Sequence, residues 1–98
     1  MRVRLAFTRL ARLDLDEIIV HVGEENPRAA VDVASKIFDR IELLREQPEL
    51  GRKGRRPGTR ELIIDGSRYI VAYRLDSTQS QVQILRILHT SRLWPGKL

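Results

Sequence analysis

The sequence predicts an α+β fold in which an antiparallel sheet carries a helical hairpin packed on one face. Three observations support this class. Apolar residues recur at helical spacing in the first half of the chain, they alternate with polar residues in the second half, and prolines and glycines separate the segments. The predicted order of elements is β-α-α-β-β-β. At 98 residues, the chain is expected to form one domain that spans positions 1–98.

A strand and an amphipathic helix are predicted first. Arg2–Phe7 alternates apolar and polar residues, which is typical of a half-buried strand. In Arg9–Val22 the apolar residues form one helical stripe. The acidic residues Asp14, Asp16 and Glu17 are expected to lie off that stripe, on a solvated helix face. We therefore expect this helix to pack through its apolar stripe alone.

The second helix has clear start and stop signals. Gly23 is expected to end the first helix, and Asn26-Pro27 is an N-cap followed by proline at the first helical position. An apolar stripe continues for about four turns until Pro48, which a helix interior excludes. Two helices joined by so short a link predict a hairpin that covers one face of the sheet.

The second half predicts a three-stranded meander. Arg60–Asp65 is the first strand, and Asp65-Gly66 is typical of a two-residue hairpin turn because both positions accept positive φ. Ser67–Leu75 is the partner strand and Gln81–Leu88 the third. The face of this sheet opposite the helices is expected to remain open for water or a partner.

Composition limits the function classes. The chain has no cysteine and two histidines, so we expect no disulfide, no metal site and no cofactor. It has no apolar run that could span a bilayer and no secretory signal, which favours a cytoplasmic protein without a membrane partner. Its net charge of +5, with a bias toward arginine, indicates nucleic acid, a nucleoprotein or an acidic protein as partner. A merely solvated basic surface is the alternative.

Two groups of residues are suited to such a partner. One is the segment 52–60, which is rich in glycine and basic residues, and the other follows the last strand. Arg86 interrupts an apolar strand and is expected to share a face with Val82, Ile84 and Leu88. Trp94 could stack on a base or cover the end of the core. The predicted contacts to nucleic acid or a target protein are Arg52, Lys53, Arg55, Arg56, Arg60, Arg86 and Trp94.

Three further residues could carry chemistry. His89 ends the last strand and could act as a general acid or base, or make one structural hydrogen bond. Arg68 could add charge to an open sheet face or be an ordinary solvated side chain. Arg92 lies three residues beyond His89, where a long side chain could reach back. The sequence alone leaves these alternatives open.

Four segments together resemble the RelE/ParE family of toxins from bacterial type II toxin–antitoxin modules. They are ARLDLDEII in the first helix, NPRAAVDVASKIFDRIELLREQPELGR through the second, RELIIDGSRYIVAYRL across the hairpin and VQILRILHTSRLWP at the end. The resemblance covers almost the whole chain. It implies a small toxin that arrests growth, stabilises plasmids and is neutralised by a cognate antitoxin.

The family has a RelE-like branch of ribosome-dependent endoribonucleases that cut mRNA. The resemblance places its strand arginine on Arg68 and its C-terminal residues on His89 and Arg92. Its basic loop falls on Arg52, Lys53, Arg55 and Arg56. In this scheme the ribose 2′-OH attacks its own phosphate. His89 serves as base or acid, and Arg68 and Arg92 stabilise the charged transition state.

The ParE-like branch inhibits DNA gyrase and needs no nuclease site. Trp94 stands where RelE-like members usually place a tyrosine, so no phenolic proton is available there. The NPRAA opening of the second helix and the ELGR segment also resemble the ParE branch. The sequence therefore favours a gyrase inhibitor and leaves enzymatic activity open. A toxin fold without toxicity, or a generic nucleic-acid-binding module, is the third hypothesis.

Overall fold

The computed structural model describes residues 2–91, 94–96 and 98, and over these residues it confirms the α+β class. Its strands form a sheet with the order β1-β5-β4-β3-β2. A single 3-10 turn follows the second helix. The elements are β1 (Arg4–Phe7), α1 (Arg9–Glu25), α2 (Pro27–Glu42), β2 (Arg52–Lys53), β3 (Arg60–Ile63), β4 (Tyr69–Asp76) and β5 (Gln81–His89).

The sheet is mixed, because β1 pairs with β5 in parallel. Arg4 lies opposite Gln81 and Phe7 opposite Ile84, whereas the β2–β3, β3–β4 and β4–β5 pairs are antiparallel. The meander was thus predicted correctly, but the sheet as a whole is not antiparallel. Alternation in a sequence determines which side chains share a face, and it contains no signal for the direction of the neighbouring strand.

The helical hairpin forms as predicted, with one change at its turn. Helix α1 continues past Gly23 to Glu25, and Asn26 then caps α2 by accepting two backbone N–H groups through its side chain. A Cβ atom at Gly23 would lie 3.5 Å from the Cβ of Ala30 on α2. This is an ordinary contact distance, so the packing of the two helices does not require a glycine here, and Gly23 does not end α1.

Side chains pack on both faces of the sheet. The face toward the helices carries the larger core, which includes the fully buried Ile37 and Tyr73. On the opposite face, Ile70, Ala72, Leu88 and Trp94 form a second buried cluster. The prediction that this face stays open is therefore wrong over this patch, because a residue beyond the last strand covers it.

A β-bulge in β5 changes which face its residues occupy. The β4–β5 register shifts between Ala72 and Tyr73, which leaves Leu85 as an extra residue without a partner in the ladder. Beyond the bulge, Ile87 packs in the helix-side core and Leu88 packs in the opposite cluster. Val82 and Leu88 consequently lie on opposite faces, and their predicted common face is wrong.

The turn between β3 and β4 is wider than predicted. Gly66 has a φ of 76°, but Asp65 does not share its positive φ, and the backbone N–H of Ile64 reaches the carbonyl of Tyr69. The Ser67 hydroxyl donates to the Ile64 carbonyl at 2.8 Å and accepts from the Tyr69 N–H at 3.2 Å. These bonds stabilise a loop over residues 65–68 in place of a two-residue turn.

Candidate functional site

The basic segment 52–60 folds around one buried carboxylate, Glu61. Its Oε1 accepts hydrogen bonds from Nε and Nη2 of Arg52 at 3.3 and 2.9 Å. Its Oε2 accepts from the backbone N–H and Nε of Arg55 at 2.8 and 3.0 Å. The Glu61 side chain is only 3% exposed. We name Glu61, Arg52 and Arg55 the Glu61 cluster.

The electrostatics of the Glu61 cluster favour the ionised carboxylate. Burial disfavours the charge and by itself raises the pKa of Glu61, but the hydrogen bonds from Arg55 and Arg52 together outweigh burial. The net effect holds the pKa of Glu61 below its usual 4.5. At neutral pH the two arginines therefore face a fixed negative charge.

The Glu61 cluster is expected to lose its stabilising effect in acid. Because the folded-state pKa of Glu61 is lowered, its contribution is complete above pH 4.5 and falls as the pH drops through the folded value. Urea unfolding of the native chain and of Glu61→Gln should therefore give midpoints that converge below pH 4.5. A gap between the two midpoints that stayed constant with pH would contradict this assignment.

The Glu61 cluster also contacts the end of the chain. The Arg55 guanidinium lies over the Trp94 ring, with its carbon 3.5 Å from the ring centroid, and Arg56 donates through Nη2 to the carbonyl of Pro95. Trp94 is 9% exposed, so the interpretation of this residue as a cover over the core is confirmed. Stacking of Trp94 on a base or a partner stays a prediction.

The remaining basic residues of the segment differ in their contacts. Arg60 donates to the carbonyls of Gly51 and Glu49 at 2.9 and 3.3 Å. Lys53 is exposed on the short edge strand β2, and its side chain has no hydrogen bond or ion pair with the described residues. Much of the predicted binding charge is thus engaged inside the chain.

Arg86 lies in a buried ion pair with Asp14 of α1, and its contact with a nucleic acid or a target protein stays a prediction. Its Nε and Nη2 donate to the Asp14 carboxylate at 2.7 and 2.9 Å, and the Ile87 N–H donates to the same carboxylate at 3.0 Å. The hydrogen bond with Asp14, although opposed by burial, raises the pKa of Arg86 above its ordinary value. Asp14 is buried, which corrects the solvated position predicted for it.

His89 lines a cleft of about 230 Å³ between α1 and the sheet. Its Nδ1 accepts the backbone N–H of Ser91 at 3.1 Å, so the neutral ring carries its proton on Nε2. The ring also meets Tyr69 edge to face at 5.4 Å between centroids. The residues that line the cleft are Asp14, Glu17, Ile18, His21, Tyr69, Ile87 and His89.

Assembly of the three residues predicted for RNA cleavage into one site stays a prediction, since His89 and Arg68 lie on adjoining segments and the third residue is outside the described part of the chain. His89 lies opposite Tyr69, which packs on the helix-side core, whereas Trp94 and its stacked Arg55 lie on the other face of the sheet. Arg68 is exposed in the loop before β4, where its carbonyl accepts the N–H that follows His89. Arg92 lies outside the described residues.

Two important carboxylates were not singled out by sequence reasoning, although signals were present. Asp14 lies in line with the buried residues Ala11, Leu15 and Ile18 at helical spacing. Glu61 is an acid inside an apolar strand, next to a segment with five basic residues. In both cases, a charge among buried neighbours indicates that a partner charge lies close by.

Metal binding and membrane insertion have no support in the part of the chain that is described. Within residues 2–91, 94–96 and 98, no group of three histidine or acidic side chains is arranged to hold a metal ion. In the same residues, no helix is long and apolar enough to cross a membrane. The features that stand out are thus the Glu61 cluster and the His89 cleft.

The fold is that of toxins from toxin–antitoxin systems. The chain is similar to a structure of the chromosomal ParDE system from P. aeruginosa, with a TM-score of 0.82, 27% identity and coverage of 92% of this chain and 98% of that one. It is also similar to a chain in the RelBE2 toxin–antitoxin complex from Mycobacterium tuberculosis, with a TM-score of 0.64, 29% identity and coverage of 91% and 99%.

Sequence comparison identifies the family. The model of the ParE toxin of type II toxin–antitoxin systems, parDE, matches residues 5–94. Y4kP of Sinorhizobium fredii, which is named as a toxin, is 36% identical over 97 residues, or 99% of this chain and 98% of that protein. Toxin RelE1 of Caulobacter vibrioides is 32% identical over 88% of this chain and 85% of its own length. The chain belongs to the ParE toxin family, which confirms the predicted RelE/ParE membership.

Proposed function

We propose that this toxin arrests growth by binding and inhibiting DNA gyrase, and that it acts without cutting RNA. The observation that carries the proposal is the separation of His89 from the Glu61 cluster, on opposite faces of the sheet. The chain is structurally more similar to the ParDE structure than to RelBE2, with TM-scores of 0.82 and 0.64, and this supports the ParE-like branch.

The chemistry of RNA cleavage explains why this separation matters. A base must remove the proton of the ribose 2′-OH while cations stabilise the charge that develops on the adjacent phosphate. The base and the cations therefore have to lie within hydrogen-bonding reach of the same nucleotide. Here Arg52 and Arg55 already neutralise Glu61, and Arg56 and Arg60 donate to backbone carbonyls. The described residues therefore support a binding function better than a nuclease.

A cognate antitoxin is the second partner in this proposal. The similar ParDE and RelBE2 structures are named as toxin–antitoxin assemblies, and the net charge of +5 suits a partner with an acidic segment. Co-expression with a small acidic open reading frame beside the toxin gene should restore growth. Continued arrest with every neighbouring reading frame would contradict this part of the proposal.

Two assays with the purified protein separate the gyrase and ribosome targets. The first measures DNA supercoiling and the accumulation of cleavage complexes by gyrase. The second maps 5′ ends of a translated mRNA in a cell-free bacterial translation reaction. Inhibited supercoiling with intact message is expected. Codon-phased cuts that require the ribosome would overturn the proposal in favour of the RelE-like endoribonuclease, which the 32% identity to RelE1 keeps as the alternative.

His89→Ala is expected to arrest growth as the native toxin does. If His89 were the catalytic base, its loss would lower the rate by about 10²-fold or more, whereas a gyrase-binding toxin has no step that needs its proton. The matched control is His21→Ala, which removes the other imidazole from the same cleft. Gyrase inhibition by both variants should equal that of the native protein. Loss of arrest in a folded His89→Ala variant, with His21→Ala active, would reject this interpretation.

A further inference from the structure

We propose that Glu61 acts as an internal substitute for a phosphate, and so prevents the basic loop from binding nucleic acid through Arg52 and Arg55. Glu61 is then a specificity-determining residue that keeps a toxin with a net charge of +5 from binding RNA and DNA. This inference goes beyond the proposed function, because it concerns the loop itself and does not depend on gyrase.

The first argument is the geometry of the donors. Arg52 uses Nε and Nη2 on one carboxylate oxygen, and Arg55 uses its Nε and its backbone N–H on the other. Guanidinium groups bind phosphate oxygens through their Nε and Nη donors, and both arginines use these donors here, since Nη2 of Arg55 also lies 3.4 Å from Oε1 of Glu61. The carboxylate therefore occupies the positions that phosphate oxygens would take between these two arginines.

The second argument is burial. The side chains of Arg52 and Arg55 are 54% and 43% exposed, so solvent and ligands can reach them, but the Glu61 carboxylate between them is 3% exposed. An incoming phosphate would have to withdraw both arginines from a buried charge and leave that charge without a partner. Uncompensated buried charges are strongly unfavourable, so the two arginines stay bound to the Glu61 carboxylate when a phosphate competes for them.

The third argument concerns the base-stacking surface. A loop that binds single-stranded nucleic acid combines cations with aromatic rings on which bases stack. Trp94 supplies the ring, but the Arg55 guanidinium lies over it at 3.5 Å from the centroid, and the indole is 9% exposed. The cation and the ring that could bind a nucleotide thus bind each other. Glu61 maintains this arrangement by fixing Arg55 from the other side.

The test compares two isosteric variants that remove one negative charge each. Glu61→Gln releases Arg52 and Arg55, whereas Glu49→Gln changes an exposed acid beside the same loop. Binding of each protein to a fluorescein-labelled single-stranded RNA is measured by anisotropy over a range of salt concentrations. Glu61→Gln should bind the RNA at least about tenfold more tightly than Glu49→Gln does. The slope of log K against log salt concentration should also be steeper by about 1.4 for Glu61→Gln, because two new phosphate contacts form on a single strand.

A triple variant assigns the gain to the released arginines. Glu61→Gln with Arg52→Gln and Arg55→Gln should return RNA binding to the level of the native protein. Equal binding by Glu61→Gln and Glu49→Gln would overturn the proposal. Folding of Glu61→Gln is checked by the fluorescence of the single tryptophan, Trp94. If Glu61→Gln does not fold, the single variant Arg55→Gln decides, because it leaves Glu61 paired with Arg52. Unchanged RNA binding is then expected, and weaker binding would overturn the proposal.

Discussion

Asp14→Ala is expected to destabilise the fold by about 3–5 kcal/mol, the usual cost of removing one partner from a buried ion pair. The Arg86 guanidinium, whose side chain is 13% exposed, would lose its counter-charge. The N–H of Ile87, which donates to the same carboxylate at 3.0 Å, would lose its acceptor as well. Because domains of this size have only about 5–15 kcal/mol of stability, this loss would remove a large share of the free energy of unfolding.

Urea unfolding followed by circular dichroism measures this effect. The matched control is Asp16→Ala, which removes an exposed carboxylate from the same helix and should change stability by no more than about 0.5 kcal/mol. A second variant, Asp14→Leu with Arg86→Met, removes both charges and should recover much of the loss, since apolar pairs can replace buried ion pairs. A loss below about 1 kcal/mol for Asp14→Ala would mean that Arg86 finds water when its partner is absent.

The position of this pair explains its structural importance. Asp14 on α1 binds two successive residues of β5 directly after the bulge at Leu85. The bulge places Ile87 toward the helices and Leu88 toward Trp94. By holding the strand on this side of the bulge, Asp14 fixes the register that fills both clusters of buried side chains. A slip by one residue would exchange the two faces.

The helical half of the fold was predictable from local sequence signals. Asn26 caps α2 and Pro27 occupies its first turn, as the sequence indicates, because both preferences depend on the backbone of a few neighbouring residues. Gly23 misled the prediction of the end of α1 because its backbone lacks the positive φ of a terminating glycine, and the helix continues to Glu25.

The sheet required information that periodicity does not contain. Alternation correctly placed Tyr73 and its neighbours in β4, but the parallel partner of β1 is a strand more than seventy residues away. The bulge at Leu85 reverses the alternation between two pairs of adjacent apolar residues, Ile84-Leu85 and Ile87-Leu88, so the sequence does not show which member of each pair faces the helices. The pairing of strands in the folded sheet determines strand direction and the face that each residue occupies, and the local sequence pattern does not.

In the candidate site, too, local sequence reveals some features and the tertiary fold decides the others. Basic residues were correctly identified in the segment 52–60, since composition alone reveals them. Their availability was only partly predictable. Glu61, an acid in an apolar strand beside the segment, indicates a partner charge, but the fold decides which arginines bind it and brings Trp94 to Arg55. For Arg86 the partner is 72 residues away. A list of charged residues thus overstates the charge that is free to bind.

Tyr73→Phe is expected to cost about 2–6 kcal/mol, since it leaves one buried and one half-buried backbone group unpaired at about 1–3 kcal/mol each. The Tyr73 hydroxyl donates to the Pro48 carbonyl and accepts from the Gly51 N–H, both at 2.8 Å, and the residue has no exposed surface. These bonds hold the start of the basic loop against the sheet. Urea unfolding should show the loss, and Tyr69→Phe, in a half-buried tyrosine of the same strand, is the matched control.

The same hydroxyl makes the native chain sensitive to alkali. Burial raises the pKa of Tyr73 above its ordinary 10.0, despite the opposing hydrogen bond from Gly51 and the nearby charge of Arg60. The unfolded phenol therefore ionises before the folded one, so stability is complete below pH 10.0 and declines as the pH rises toward the folded value. The stability gap between the native chain and Tyr73→Phe should narrow in that range. A gap that widened above pH 10.0 would show that the folded site accepts the phenolate, and that Arg60 outweighs burial there.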